Sequence, residues 1–527
     1  MKRLILSYFV FAPIFANMSP TVLTNSGRVQ GRISTFYAFK GIPYAKPPLG
    51  KLRFQPPQPP EPWKGTKICD KYGPKCLQID KNDGSMTGNE DCLTLNVFTR
   101  DLTNPSPVMV YFHGGAHLRG SGADLGPEYL MEKSVVLVTV NFRLNVFGFL
   151  TTCDENAFGN AGIKDQVRAL EWVQENIAGF GGDPGNVTIF GESSGADSVS
   201  LLLLSPRTKG LFHRVILQSG SSLNPRYLQR NPLPFVVNLA KYFGIRCENT
   251  KSIVEGLQEI DGSELLKAAN EAKATGYQLD LRAAAFYPVI EAENKDAIIT
   301  QSPYELFQSG NFNKVPFIIG YNSNEGTLGL NLVNNMNITD FDSNYELFYP
   351  QSLNNANKSE EIGKIVREYF LGNDSAQNTD KFAKFLAQEL LVRGIRKNVD
   401  FLIKHSEGYF YKFTYKGTHT SQYPGVGHAE ELQYIFTKNG TTRNLTQSDV
   451  LMRKRMVEMW TNFANFGAPV PGQRLLGETI SWEKCEEKIT YLEIGENLEL
   501  KENPDREEYE FWEKLFKDYG KPPFQTY

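Results

Sequence analysis

Residues 186–205 read NVTIFGESSGADSVSLLLLS. Val187, Thr188, Ile189 and Phe190 form a short run of strand-favouring residues, the next five residues are Gly-Glu-Ser-Ser-Gly, and an apolar helix pattern opens at Ala196. A tight strand-to-helix turn of this composition lifts the central serine hydroxyl above the sheet, so Ser193 is the candidate nucleophile. The flanking glycines suit such a turn because strand and helix backbones crowd it and leave no room for Cβ atoms. Ser194, at the start of the helix, can offer its backbone N–H to a developing oxyanion, helped by the positive end of the helix dipole.

Outward from this turn the chain alternates strands and helices. In residues 165–180, Val167, Leu170, Val173 and Ile177 share one face of an amphipathic helix that ends at Gly181-Gly182-Asp183-Pro184-Gly185. Strand-like runs cover residues 93–98, 108–112, 135–140, 215–218 and 317–320, with a last one at 408–415. Residues 227–300 and 340–405 read as mainly helical, and further helices are expected over 451–466 and 507–516. This pattern predicts an α/β fold with a large, mostly parallel central sheet flanked by helices and a site at the carboxyl ends of the strands. Near the start, Asn25-Ser26-Gly27 sits between alternating segments and predicts a hairpin. The proline-dense stretch 39–63 excludes a helix or a central strand. Its interleaved Phe39, Ile42, Tyr44, Leu52, Phe54 and Trp63 predict an ordered coil packed on the domain.

The 527 residues carry 41% hydrophobic and 22% charged side chains, the balance of a globular protein with a sizeable core. A net charge of -3, with no long basic run, argues against nucleic acid as a partner. Lys2 and Arg3 followed by an apolar run to Phe15, and then Ala16, read as a secretory signal peptide over residues 1–16, leaving 17–527 as a single domain. The C-terminal GKPPFQTY lacks the hydrophobic tail of a lipid-anchor signal, so a secreted, extracellular protein without a stable membrane anchor is expected. Export permits disulfides among the six cysteines. Sequons in polar stretches mark Asn337, Asn357, Asn373, Asn439 and Asn444 for glycosylation.

A serine nucleophile needs a base, a group that orients the base, and donors for the oxyanion. Of the six histidines, His428 lies in the glycine-bearing PGVGHAEEL, after a late strand, where an imidazole can reach the top of the sheet. Glu325, in IIGYNSNEGTLG, follows a strand in a Gly and Asn loop, and the order Ser193, Glu325, His428 is one of the known triad orders. Strand 108–112 runs into His113-Gly114-Gly115-Ala116, a loop of small residues that can bring the N–H groups of Gly115 and Ala116 to the oxyanion beside that of Ser194. If its pKa is ordinary, protonation of His428 removes activity around pH 6 to 7. No metal and no organic cofactor is implied.

FKGIPYAKPPLGKLRF, EDCLTLNV, YFHGGAH, NFRLNVFGF, GNAGIKDQ, FGGDPGNVTIFGESSG, LQSGS, IGYNSNEG and GVGHAEEL follow one another along the chain. In these stretches the sequence resembles the type-B carboxylesterase/cholinesterase family over nearly all of its length, most of all secreted insect-type carboxylesterases. The resemblance implies the α/β-hydrolase fold and a serine carboxylesterase acting on small-molecule esters. It also implies a Ser193-Glu325-His428 triad, an oxyanion hole of Gly115, Ala116 and Ser194, and a Cys76–Cys92 disulfide. Glu192 and Ser219 match positions that line or support such sites. Arg53 with Glu90, and Arg143 with Asp165, match structural ion pairs.

The departures from the family narrow the substrate. Gly256 stands where a partner for Cys247 is expected, so the family's second disulfide is missing here. LQIDKNDGSMTGNED, between Cys76 and Cys92, has no aromatic residue with which to hold a quaternary ammonium, which disfavours choline esters. Juvenile hormone esterases usually carry glutamine before the nucleophile, where this chain has Glu192. Arg226 occupies a common acyl-pocket aromatic position; it either turns out to solvent, the favoured expectation, or suits an anionic or polar acyl group. His117 follows the oxyanion loop, where it lines the pocket or positions a water against modified Ser193. The rivals to a general carboxylesterase are a juvenile hormone esterase and a catalytically silent binding ectodomain.

Overall fold

The structure is a computed structural model and describes residues 19–81, 83–271, 286–333, 338–418, 423–438 and 445–527. The expected signal peptide and the sequons at Asn337, Asn439 and Asn444 lie outside the described residues, whereas Asn357 and Asn373 are exposed. The main sheet takes up β1 (Arg32–Ile33), β2 (Tyr37–Pro43), β3 (Thr94–Thr99), β4 (Ser106–Phe112), β5 (Val136–Val140), β6 (Gly182–Glu192), β7 (Arg214–Gln218), β8 (Phe317–Asn322), β9 (Gly408–Phe413), β10 (Thr490–Ile494) and β11 (Leu498–Glu502). Their order across the sheet is β11-β10-β9-β8-β7-β6-β4-β5-β3-β2-β1.

The centre, from β5 through β10, is parallel, and antiparallel pairings close both edges. The sequence explains why the middle is covered on both faces. Along β4, Val108, Val110 and Phe112 enter one apolar core while Met109 and Tyr111 enter the other, and in β5 Val136, Val138 and Val140 alternate in the same way with Leu137. A strand buried on both sides reads as an unbroken apolar run, which is how these segments stand out in the sequence. The chain leaves β4 for β5 on one side and returns to β6 on the other. This reversal leaves a crevice outside the carboxyl ends of the strands.

Several elements differ from their expected extents. Strand 408–413 is not the last: β10 and β11 follow it, in a charge-dense segment (EEKITYLEIGENLELKEN) whose short apolar alternation is hidden among carboxylates and lysines. The proline-dense stretch begins inside β2, second from the sheet edge, and then runs as the expected packed coil, with Tyr44 and Phe54 buried. Helix α1 (Ala161–Asn176) starts earlier than expected and gives way to a short 3-10 turn, Ile177–Phe180. Helix α2 (Ser194–Leu204) opens at Ser194 rather than Ala196. The expected N-terminal hairpin is present, with Thr21–Thr24 paired antiparallel to Gly27–Gln30.

Cys76 and Cys92 form a disulfide, whereas Cys247 is free. Both expected ion pairs are present, and Arg143 with Asp165 is the more deeply buried, with contacts of 2.7 and 2.8 Å. Removing one partner from such a pair leaves an unpaired charge in the core. Asp165→Ala is therefore expected to destabilise the fold by roughly 3–5 kcal/mol. A urea titration checks this, and an unchanged midpoint contradicts it.

Candidate active site

The elbow is built from close backbone contacts. A Cβ on Gly195 would lie 2.1 Å from the carbonyl oxygen of Phe112, at the end of β4, and no side chain fits there. Ser193 sits between β6 and α2 at φ 56°, ψ -129°, an unusual backbone conformation for a residue with a side chain, and its N–H is held by the Gln218 carbonyl at 2.8 Å.

The structure brings the three widely separated residues into one hydrogen-bonded chain. His428 Nε2 lies 2.9 Å from Ser193 Oγ, and His428 Nδ1 lies 2.6 Å from Glu325 Oε2. Glu325 follows β8 and is fixed on its other oxygen, where Oε1 accepts from the Ser219 hydroxyl at 2.5 Å and from the Asn322 N–H at 2.7 Å. The His428 loop is pinned to the Glu325 loop. The N–H of His428 donates to Thr327 Oγ1, in helix α3 (Gly326–Val333), at 3.0 Å, and the N–H of Asn324 donates to the Val426 carbonyl at 2.8 Å.

The loop after β4 lies directly against the elbow. A Cβ on Gly114 would sit 2.7 Å from the Glu192 carbonyl oxygen and 3.1 Å from Ser193 Cβ. The backbone N–H of His117 donates to Ser194 Oγ at 3.1 Å, tying the end of this loop to the first residue of α2. Among the described hydrogen bonds, none uses the N–H of Gly115, Ala116 or Ser194.

Three acidic groups, Glu192, Glu325 and Glu431, surround or orient this chain. Glu192 Oε1 lies 3.2 Å from His428 Nε2, and its buried carboxyl has a pKa pushed up to about 8 by burial, against the pull of His428. For His428, burial works to lower the pKa. Glu192, Glu325 and Glu431 outweigh it and hold the imidazole above its ordinary range. A cavity of about 390 Å³ borders His428 and is lined partly by Leu125, Tyr129, Leu432 and Phe436.

His117 is buried among Phe149, Tyr227 and Tyr287, with ring centroids 4.9, 6.1 and 6.1 Å away, and burial lowers its pKa to about 3, so it stays neutral within this aromatic cluster. The expectation that Arg226 turns out to solvent is corrected. Its Nε and Nη1 are buried, with Cζ 6.0 Å from the Tyr227 ring, because Arg226, itself half-buried, stands between buried Pro225 and buried Tyr227.

Comparison with known proteins places this geometry. The family-level match is to the carboxylesterase family, over residues 18–512. The chain belongs to the carboxylesterase family. It is 36% identical to juvenile hormone esterase of Tribolium castaneum, over 89% of this chain and 87% of that one. It is 32% identical to carboxylesterase 1E of Rattus norvegicus, over 95% of this chain and 94% of that one. The crystal structure of juvenile hormone esterase from Manduca sexta, with OTFP covalently attached, superposes with a TM-score of 0.85 at 27% identity, covering 95% of this chain and 100% of that one. The α/β-hydrolase architecture and carboxylic ester hydrolysis follow from this membership.

Sequence reasoning missed the residues that hold the carboxylesterase site from behind. Glu431, fully buried, accepts from Gln218 at 3.0 Å and from Asn322 at 2.6 Å, Asn322 also donates to the Gly427 carbonyl at 2.8 Å, and Trp460 donates to Gln218 at 3.0 Å. In HAEEL, nothing local separates buried Glu431 from its more exposed neighbour Glu430. Tyr227 and Tyr287 were likewise hidden among many aromatic residues.

Proposed function

We propose that this serine carboxylesterase cleaves its ester through an acyl-enzyme formed on Ser193. His428 takes the Ser193 proton as the hydroxyl oxygen attacks the ester carbonyl, then returns it to the departing alcohol. Water repeats the sequence and frees the acid. Glu325 holds the imidazole with Nε2 toward Ser193 and stabilises its charged form. The N–H groups of Gly115, Ala116 and Ser194 receive the oxyanion of each tetrahedral intermediate. Glu192 and Ser219 support the site, the first facing the imidazole and the second fixing Glu325. The observation that carries this reading is the unbroken Ser193–His428–Glu325 hydrogen-bonded chain. The residues themselves supply every proton transfer and every oxyanion donor, so the mechanism calls on no cofactor. Hydrolysis of p-nitrophenyl esters by wild type and Ser193→Ala tests it.

The charge around His428 sets the pH dependence. A base whose pKa is raised loses its free form sooner as the pH falls, so the acid limb of kcat/KM is expected above the ordinary imidazole value of about 6.5. Above about pH 8, where Glu192 ionises, its charge favours the imidazolium, and Glu192→Gln is expected to move that limb down by about one unit. The pH profile of the two proteins checks this. An unmoved limb contradicts the assignment.

The reading includes an exported, glycosylated enzyme, supported by the N-terminal segment and by exposed Asn357 and Asn373. Among the described residues no helix is long and apolar enough to cross a membrane. Juvenile hormone esterase is the second reading, favoured by the likeness to the Tribolium castaneum and Manduca sexta proteins. A comparison of kcat/KM for the hormone and for a generic ester separates the two.

A further inference from the structure

Beside Ser193 the chain has assembled more hydrogen-bond donors than it uses. His117, Tyr227 and Tyr287 form one aromatic wall, with Tyr227 and Tyr287 5.7 Å apart and His117 6.1 Å from each. This wall meets the nucleophile turn twice, once at Ser193 and once at Ser194. The Tyr227 hydroxyl interacts with Ser193, and His117 is bonded through its N–H to Ser194. Into the wall comes Arg226, whose Nε and Nη1 are buried without a hydrogen-bond partner. His117 Nδ1 is also buried and unpaired, and the buried Tyr287 hydroxyl faces the Arg226 guanidinium.

The tautomer of His117 adds to this excess. Ser198 Oγ accepts from Gln166 at 3.0 Å and lies 3.0 Å from His117 Nε2. A hydroxyl that gives its proton to Nε2 leaves the imidazole proton on Nδ1, so Nδ1 joins the pocket as a donor. Arg226 forms no ion pair among the described residues. The acid that acts on it is buried Asp197, whose Oδ1 accepts the Ser221 N–H at 2.7 Å. Burial works to lower the Arg226 pKa, but Tyr287, Tyr227 and Asp197 leave it raised, so the guanidinium keeps its charge.

Two buried guanidinium nitrogens without partners, Nε and Nη1, are costly unless a ligand completes them. A saturated acyl chain offers it nothing, whereas a carboxylate accepts two parallel N–H bonds from an arginine fork. We propose that this pocket takes acyl groups bearing a carboxylate at their far end, so that preferred substrates are half-esters of short dicarboxylic acids. Arg226 pairs with the distal carboxylate, and Tyr287 and His117 supply further hydrogen bonds to it. The proposal rests on the ester-hydrolase reading and names the acyl side of its substrate.

The test compares monoethyl glutarate with ethyl pentanoate, which match in acyl length and differ in the terminal carboxylate, by following ethanol release. Wild type is expected to show a kcat/KM ratio of about ten or more in favour of the half-ester. Arg226→Met is expected to bring that ratio to about one or below, and Arg226→Lys to retain part of the preference. Because the ratio is internal to each protein, partial loss of folded enzyme cancels, and the lysine variant serves if the methionine variant does not fold. A wild-type ratio of one or less, or a ratio unmoved by either replacement, overturns the proposal. Turnover of ethyl pentanoate alone leaves the ester-hydrolase reading standing while this one falls. Hydrolysis of neither ester overturns both.

Discussion

Ser193→Ala is expected to lower kcat for p-nitrophenyl esters by about ten-thousand-fold or more, with the protein folded as before. The hydroxyl is the one group that forms a bond to substrate carbon, and its replacement removes the acyl-enzyme route altogether. What remains is the oxyanion donors acting on water, which in enzymes of this kind still gives a rate above the uncatalysed one. The methyl group of alanine fits where the serine side chain stands, so the unfolding midpoint should stay close to that of wild type. Steady-state assays of both proteins, with circular dichroism as the control, check the two halves of this expectation. Activity surviving in the variant would move the nucleophile elsewhere.

Glu325→Gln is expected to cost about a thousand- to ten-thousand-fold in kcat while binding of ester changes little. The carboxylate accepts the Nδ1 proton of His428 at 2.6 Å, which leaves Nε2 as an acceptor facing Ser193. Glutamine can turn its amide N–H toward Nδ1, favour the opposite tautomer, and direct an N–H at the serine hydroxyl in place of a lone pair. It also removes the charge opposite the imidazolium that forms during attack. The measurement is kcat and KM separately across pH. A variant within tenfold of wild type would reduce Glu325 to a structural role.

How much of this was legible in the sequence depends on how local each signal is. The elbow is almost wholly local: Gly191 and Gly195 flank Ser193, and the contact of Gly195 with Phe112 explains why a larger residue fails there. His428 and Glu325 were legible because each lies in a glycine- or asparagine-bearing loop that follows a strand, Glu325 directly and His428 after a longer connection, and the parallel sheet gathers such loops at one edge. The direction of Arg226 was not legible. Whether that side chain points out or in depends on Tyr287, far along the chain, and on how the Pro225–Tyr227 turn packs. Glu431 was hidden for a similar reason, since its burial is set by Gln218 and Asn322 from two different strands. Strands β10 and β11 were missed because their few apolar residues stand among charges that face solvent at the sheet edge.

At His428 the local sequence and the surrounding fold predict different pH dependences. From sequence alone His428 is an ordinary imidazole, and activity would fade around pH 6 to 7. The structure sets it among Glu192, Glu325 and Glu431, which shifts the expected loss to higher pH.

The most direct test of the account is rapid quenching of the wild-type enzyme with p-nitrophenyl acetate, followed by peptide mapping by mass spectrometry. The account predicts one acetyl group on the peptide that carries Ser193, appearing with the burst of p-nitrophenol and disappearing on further incubation. Steady turnover with no acetyl group on that peptide, or with the label on another residue, would contradict it.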